Sequence, residues 1–156
     1  MAFSELSIGG TEGSTVSGLA TKIVSGRAAA YTLLASESGA LVLLDLAAQT
    51  VTLPTPVAGL QYEFQVTTAA TGQKVLTNVV ATQFLNGAVT VGTIATASAG
   101  GFAANGTTIA SLSMSGTTTG GLIGSRFKVK AISATVWAIE GFLMGSGTVI
   151  TPFATT

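Results

Sequence analysis

The run Gln61-Tyr62-Glu63-Phe64-Gln65-Val66 alternates strictly between polar and apolar side chains. Successive side chains of a strand point to opposite faces, so this spacing puts Tyr62, Phe64 and Val66 on a buried face and the polar residues on the other. Similar β-prone runs recur between turn signals: 31–34 before Ser36-Glu37-Ser38-Gly39, 40–44 before Ala47-Ala48-Gln49, and Thr50-Val51-Thr52-Leu53 before Pro54 and Pro56, which cannot donate to a central ladder. Further strands are predicted at 125–133, 136–140 around Trp137, 142–144 and 148–153. Asn86-Gly87, between Phe84-Leu85 and the apolar run 89–91, reads as a hairpin turn. Thr71-Gly72 and Asn105-Gly106 read as further turns, and 98–101 and 116–121 as flexible loops. Weak helical character is confined to 17–24 and 28–34, and no repeat of fixed period marks a solenoid. The pattern predicts an all-β fold, an antiparallel β-sandwich or barrel over residues 27–156, preceded by an extended Gly-, Ser- and Thr-rich N-terminal arm over residues 1–26.

With 156 residues the chain is one domain of ordinary size, able to bury about 70% of its unfolded surface. Its 47% hydrophobic content and mean hydropathy of +0.65 are the opposite of a disordered composition. The best apolar run, 40–44, is ended by Asp45, far short of the about 18 residues of a bilayer-spanning helix. The first ten residues lack the basic and apolar regions of a signal peptide, so export by that route is not expected; the absence of cysteine fits synthesis in a reducing cytoplasm. Six basic and six acidic side chains give zero net charge, which argues against a basic field for nucleic acid. A weakly charged, apolar surface favours self-association.

The chain has no His and no Cys, which removes imidazole acid–base chemistry, thiolate nucleophiles and the usual ligands of zinc, haem and iron–sulfur clusters. The carboxylates are Glu5, Glu12, Glu37, Asp45, Glu63 and Glu140, none paired in sequence as in a glycosidase or metal site; they read as solvated turn and strand-face acids. A hydrolase would need a pocket in which Asp45, Glu63 or Glu140 met. Asp45 interrupts Leu43-Leu44 and Leu46, and reads as an edge-strand gatekeeper, since a buried carboxylate would need an Arg, a backbone cap or a neighbouring subunit. Gly116, Gly120, Gly121 and Gly124 lack the Lys and Ser/Thr that complete a phosphate loop, and no base is positioned to activate a serine. No catalytic, metal or cofactor site is expected. Arg126, Lys128 and Lys130 alternate, so in a strand they share one face while Phe127, Val129 and Ala131 share the other. They are the candidate partner-docking residues, the alternative being a solvated face or a lysine-guarded edge. This face lacks the interleaved aromatics that would suit single-stranded nucleic acid, and Trp137 reads as core or a subunit contact.

The stretch 31–39, the apolar strand after it, Val51-Thr52-Leu53-Pro54-Thr55-Pro56-Val57-Ala58-Gly59-Leu60 and Tyr62-Glu63-Phe64-Gln65-Val66 together resemble tailed-phage virion proteins: capsid decoration (cement) proteins and head-fibre or tail-associated β domains. The segment 127–132 followed by Val136-Trp137-Ala138-Ile139-Glu140-Gly141 resembles the hairpin that closes such domains. The chain departs from the pattern in being poorer in charge and in carrying Ser133-Ala134-Thr135 where an Asp-Gly turn is usual. The resemblance implies a non-enzymatic homotrimer on the exterior of a bacteriophage head, with the major capsid protein as partner and neither nucleic acid nor membrane involved. The alternatives are a head-fibre, tail-fibre or receptor-binding β domain with host-binding loops such as 98–105 and, more remotely, a Thr-rich ice- or surface-binding β protein.

Overall fold

A computed structural model describes residues 21–95 and 98–155 of the chain. The first six strands pass back and forth between two sheets. β1 (Ile23–Val24), β3 (Leu41–Leu44) and β5 (Gln61–Val66) lie side by side in one, and β2 (Ala30–Thr32), β4 (Thr50–Thr52) and β6 (Gln73–Leu76) in the other. Every neighbouring pair among them is parallel, so this half of the chain winds as a short solenoid. The turns between strands stack as well: Asp45 accepts from the Gly26 N–H at 2.6 Å, and the Thr71 N–H donates to the Ala47 carbonyl at 2.7 Å. Asp45 is thus a backbone cap joining successive coils, and not the edge-strand gatekeeper expected. Val24 stands beside Val42, 18 residues on, and Val42 beside Phe64, 22 residues on. That unequal spacing is why no fixed repeat is visible in the sequence.

The second half completes both layers. β7 (Phe84–Thr93), β8 (Ala99–Asn105), β10 (Arg126–Ala131) and β11 (Val136–Gly145) extend the first sheet to seven strands, in the order β1-β3-β5-β10-β11-β7-β8. β9 (Ser111–Met114) and β12 (Phe153–Ala154) make the second sheet five-stranded, in the order β12-β9-β6-β4-β2. The all-β, two-layer expectation holds, but the sheets are mixed where antiparallel pairing was expected. A chain that changes layer after every strand returns to each sheet in the same sense, and β11 also runs parallel to β7.

The core lies between the layers, and the alternation of β5 is realised in it: Tyr62, Phe64 and Val66 are buried, as is Trp137. Phe127 and Val129 of β10 face them from the next strand. Local turn signals fare less well. Asn86-Gly87 does not make a hairpin; β7 runs straight through it, paired on one side with β11 and on the other with β8. Gly87 is required there because a Cβ would lie 2.0 Å from the Ile139 carbonyl oxygen. The hairpin bends instead after Thr93, whose N–H donates to the Ser98 carbonyl, and residues 99–101, expected as loop, begin β8. The runs 136–140 and 142–144 are one strand carried through Gly141. The weakly helical stretches hold β1 and β2 in their described parts. Residues 21–26 of the expected arm are joined to the domain: β1 pairs with β3 and Val24 enters the core. The arm's first twenty residues, with Glu5 and Glu12, lie outside the described residues.

Candidate interaction surface

Strand β10 places Arg126, Lys128 and Lys130 on the outer face of the seven-stranded sheet, all exposed, as alternation requires. Tertiary pairing adds what the sequence does not show. Lys128 stands opposite Glu63 of β5 on one side and opposite Glu140 of β11 on the other. Its ammonium lies 3.8 Å from a Glu63 oxygen, with both side chains largely solvated. Such an exposed pair is worth about 0.2–1 kcal/mol and weakens with salt. Arg126 faces Gln65 and Phe142, and Lys130 faces Gln61 and Ala138, so neither sits opposite an acid. The middle of the face carries three cations against two carboxylates, a net charge of +1; with Lys128 paired to Glu63, Arg126, Lys130 and Glu140 remain without an ion pair.

A shallow pocket of about 200 Å³ lies over this cross of charges, lined by Gln61, Tyr62, Glu63, Lys128, Lys130 and Glu140. Glu63 and Glu140 therefore do share a pocket, with Lys128 between them, whereas Asp45 lies apart in the coil turns. A carboxyl pair for glycoside hydrolysis needs one acid held protonated by an apolar site. Here Glu63 rests open to water beside a lysine. The lining offers polar and charged contact groups.

Exposed apolar side chains occur near the end of β11. Phe142 is 45% exposed on β11, and Ile94 and Ile123 are 70% and 60% exposed. They flank the end of that strand, where the Ile94 N–H donates to the Gly145 carbonyl and the Leu122 N–H to the Met144 carbonyl.

One charged group that reads as a solvated turn acid is buried. Glu37 sits in a 3-10 turn (Ala35–Glu37), where it accepts from the Arg27 guanidinium through one oxygen and from the Leu34 N–H at 2.9 Å through the other. The Tyr62 hydroxyl donates to the Leu34 carbonyl at 2.9 Å, tying the same turn to β5. Arg27 also lies over the Tyr31 ring, 5.9 Å from its centre. Desolvation pushes the Tyr62 hydroxyl up to about 12, with Glu37 adding to it. Desolvation likewise pushes Tyr31 up to about 12; Arg27 opposes the shift, and Asp45 and Glu37 add to it. Only the Ser36-Glu37-Ser38-Gly39 turn signal points to this cluster, because burial of Glu37 depends on Arg27, which reaches it from the connection between β1 and β2.

The glycine-rich loop 115–121 is compact: Gly116 N–H donates to the Gly120 carbonyl, and the Ser115 hydroxyl accepts from the Thr117 and Thr119 N–H groups. A Cβ on Gly116 would lie 2.3 Å from the Ala70 carbonyl oxygen, so this glycine serves close packing of a turn. Among the described residues no group of three His, Cys, Asp or Glu could hold a metal ion, and no helix is long and apolar enough to cross a membrane. No protein-family model, no curated protein and no solved structure matches the chain.

Proposed function

We propose that this chain is a capsid decoration (cement) protein of a tailed phage, which binds the assembled head from outside as a homotrimer and stabilises it without catalysis. The observation that carries the reading is how the charged side chains are used. Glu37, Arg27 and Asp45 are bound within the coils, and Glu63 and Lys128 within the sheet face. Among the described residues Lys22, Lys74, Arg126, Lys130 and Glu140 are in no ion pair, and of these Arg126 and Lys130 lie on the sheet face that also exposes Phe142, with Ile94 and Ile123 exposed at the end of its strand. A surface of this kind holds a partner by shape and apolar area and orients it by a few rim charges. Mechanistically, a protein that binds the assembled shell and not its free subunits stabilises the shell by RT ln(1 + [L]/Kd) per site. Many sites then multiply a modest energy.

The test is addition of the purified chain to undecorated heads of its source phage. Stoichiometric binding and a raised temperature of genome release support the reading; absence of binding at micromolar concentration sinks it. The host-binding alternative loses its loop, since 99–105 is a strand in a sheet. The ice-binding alternative needs threonines stacked strand over strand. Thr52 instead lies between Thr32 and Leu76, and Thr50 between Ala30 and Lys74.

A further inference from the structure

Among the described residues β8 is an open edge of the seven-stranded sheet, with β7 as its one neighbour. The Thr93 N–H donates to the Ser98 carbonyl and Gly92 stands opposite Ala99, which sets the phase of the ladder. Hydrogen-bonded pairs then fall at Val91/Gly100, Val89/Phe102 and Gly87/Ala104. The backbone groups of Ala99, Gly101, Ala103 and Asn105 consequently point away from β7, and among the described residues no other backbone takes them. Natural edges are blunted by brevity, charge, proline or a bulge. β1 and β12 have two residues and β2 has three, whereas β8 has seven, all uncharged, with no proline and an unbroken register. An apolar rim runs beneath this edge. Phe102 and Val149 are partly buried against the core, and both side chains lie close to Gly100.

We propose that the β8 edge is a seam between two copies of this chain, joined antiparallel about a twofold axis at Phe102. Phe102 is the central residue of the strand, so this register sets Ala99 against Asn105 of the second copy and Gly101 against its Ala103, and the reverse. All four outward-facing residues of each strand are then paired, in about eight hydrogen bonds. A second copy is the occupant because the strand is self-matching in this register, carries no charge to repel its own image, and brings an identical rim of Phe102 and Val149 to meet the first. The seam rests on the self-association in the reading above and not on shell binding. It also differs from the threefold contact that the resemblance implies: the seam alone makes a dimer, and the two contacts together make a hexamer.

Native mass spectrometry and sedimentation of the full chain test the seam. With the threefold contact of the proposed function wild type is expected as a hexamer; a dimer would support the seam and remove the trimer from that reading. Gly101→Pro removes an outward-facing donor while leaving the β7 ladder intact, and a Cβ at Gly101 meets nothing within 4 Å, so this variant should keep its fold and lose the seam, at least tenfold in dissociation constant. Should it fail to fold, Ala103→Lys, which keeps every backbone group, decides by the same reading. Because the chain has no cysteine, Phe102→Cys gives a single reporter thiol. At the axis the two Cα atoms would be about 4.5 Å apart, within disulfide reach. Oxidation should yield a covalent dimer, and Val57→Cys, exposed elsewhere, should not. A monomeric or trimeric wild type, or an edge variant that folds and keeps the wild-type mass, overturns the seam. Head binding by that same protein would leave the decoration reading standing, and its failure with the seam intact would remove that reading alone.

Discussion

The ring of Phe127 lies flat against that of Phe64, their centres 4.7 Å apart and their planes 9° apart. The two strands are antiparallel neighbours with these residues directly opposite. The stack closes the core beneath the charged face, and Gly141, on the far side of Phe127 in β11, makes room for it.

A Cβ on Gly141 would stand 2.3 Å from the Phe127 Cβ and 2.6 Å from the Arg126 carbonyl oxygen. Gly141→Ala should therefore cost about 1–3 kcal/mol by overpacking and lower the thermal midpoint by several degrees. Unfolding followed by near-ultraviolet circular dichroism measures it, and an unchanged midpoint would show that β10 and β11 separate freely.

Glu37 joins the first coil to the turn after β2 through Arg27 and the Leu34 N–H. Glu37→Ala strands a backbone donor and an arginine, so urea unfolding should show a loss of roughly 1–3 kcal/mol. Glu37→Gln keeps an acceptor for Leu34 and should cost less. Equal losses would mean that a neutral acceptor contributes nothing and that the charge carries the whole contact.

The chain's two tyrosines, Tyr31 and Tyr62, are both pushed up to about 12 from an ordinary value of 10.0. The folded state thus favours the neutral phenols, and the unfolded state releases their protons first. That contribution to stability is complete below pH 10 and is lost as pH rises from about 10 towards 12. Absorbance titration should give a midpoint near 12 in buffer and near 10 in denaturant; coincident curves would contradict the burial.

On the sheet face, Arg126 and Lys130 are predicted to steer docking and Lys128 is not, being engaged by Glu63. Replacing Arg126 and Lys130 by Gln should slow association with undecorated heads and flatten its salt dependence, with the thermal midpoint nearly unchanged. Lys128→Gln alone should change the association rate little. Equal rates for the double variant and wild type would return these residues to a solvated face.

The boundary of the domain is open to a direct comparison. A chain beginning at residue 27 loses the β1–β3 pair and the buried Val24, whereas one beginning at residue 21 keeps both. The shorter chain should melt several degrees lower. Matching midpoints would place residues 21–26 outside the cooperative unit.

By itself the sequence determined which side chains of a strand face inward. The alternation of β5 and β10 names Tyr62, Phe64, Val66, Phe127 and Val129 as core and Arg126, Lys128 and Lys130 as surface, because a two-residue period is a property of one strand alone. Only the tertiary structure decided which strands become neighbours and in what sense. Nothing within 23–24 or 41–44 specifies that they lie parallel in one sheet; that follows from layer changes at unequal intervals. The Asn86-Gly87 turn preference yielded to pairing on both flanks of β7. Glu63, Lys128 and Glu140 come from three strands, so their shared pocket exists only once β10 lies between β5 and β11. The burial of Glu37 likewise waits on Arg27, a residue ten positions away whose approach is set by the winding of the chain.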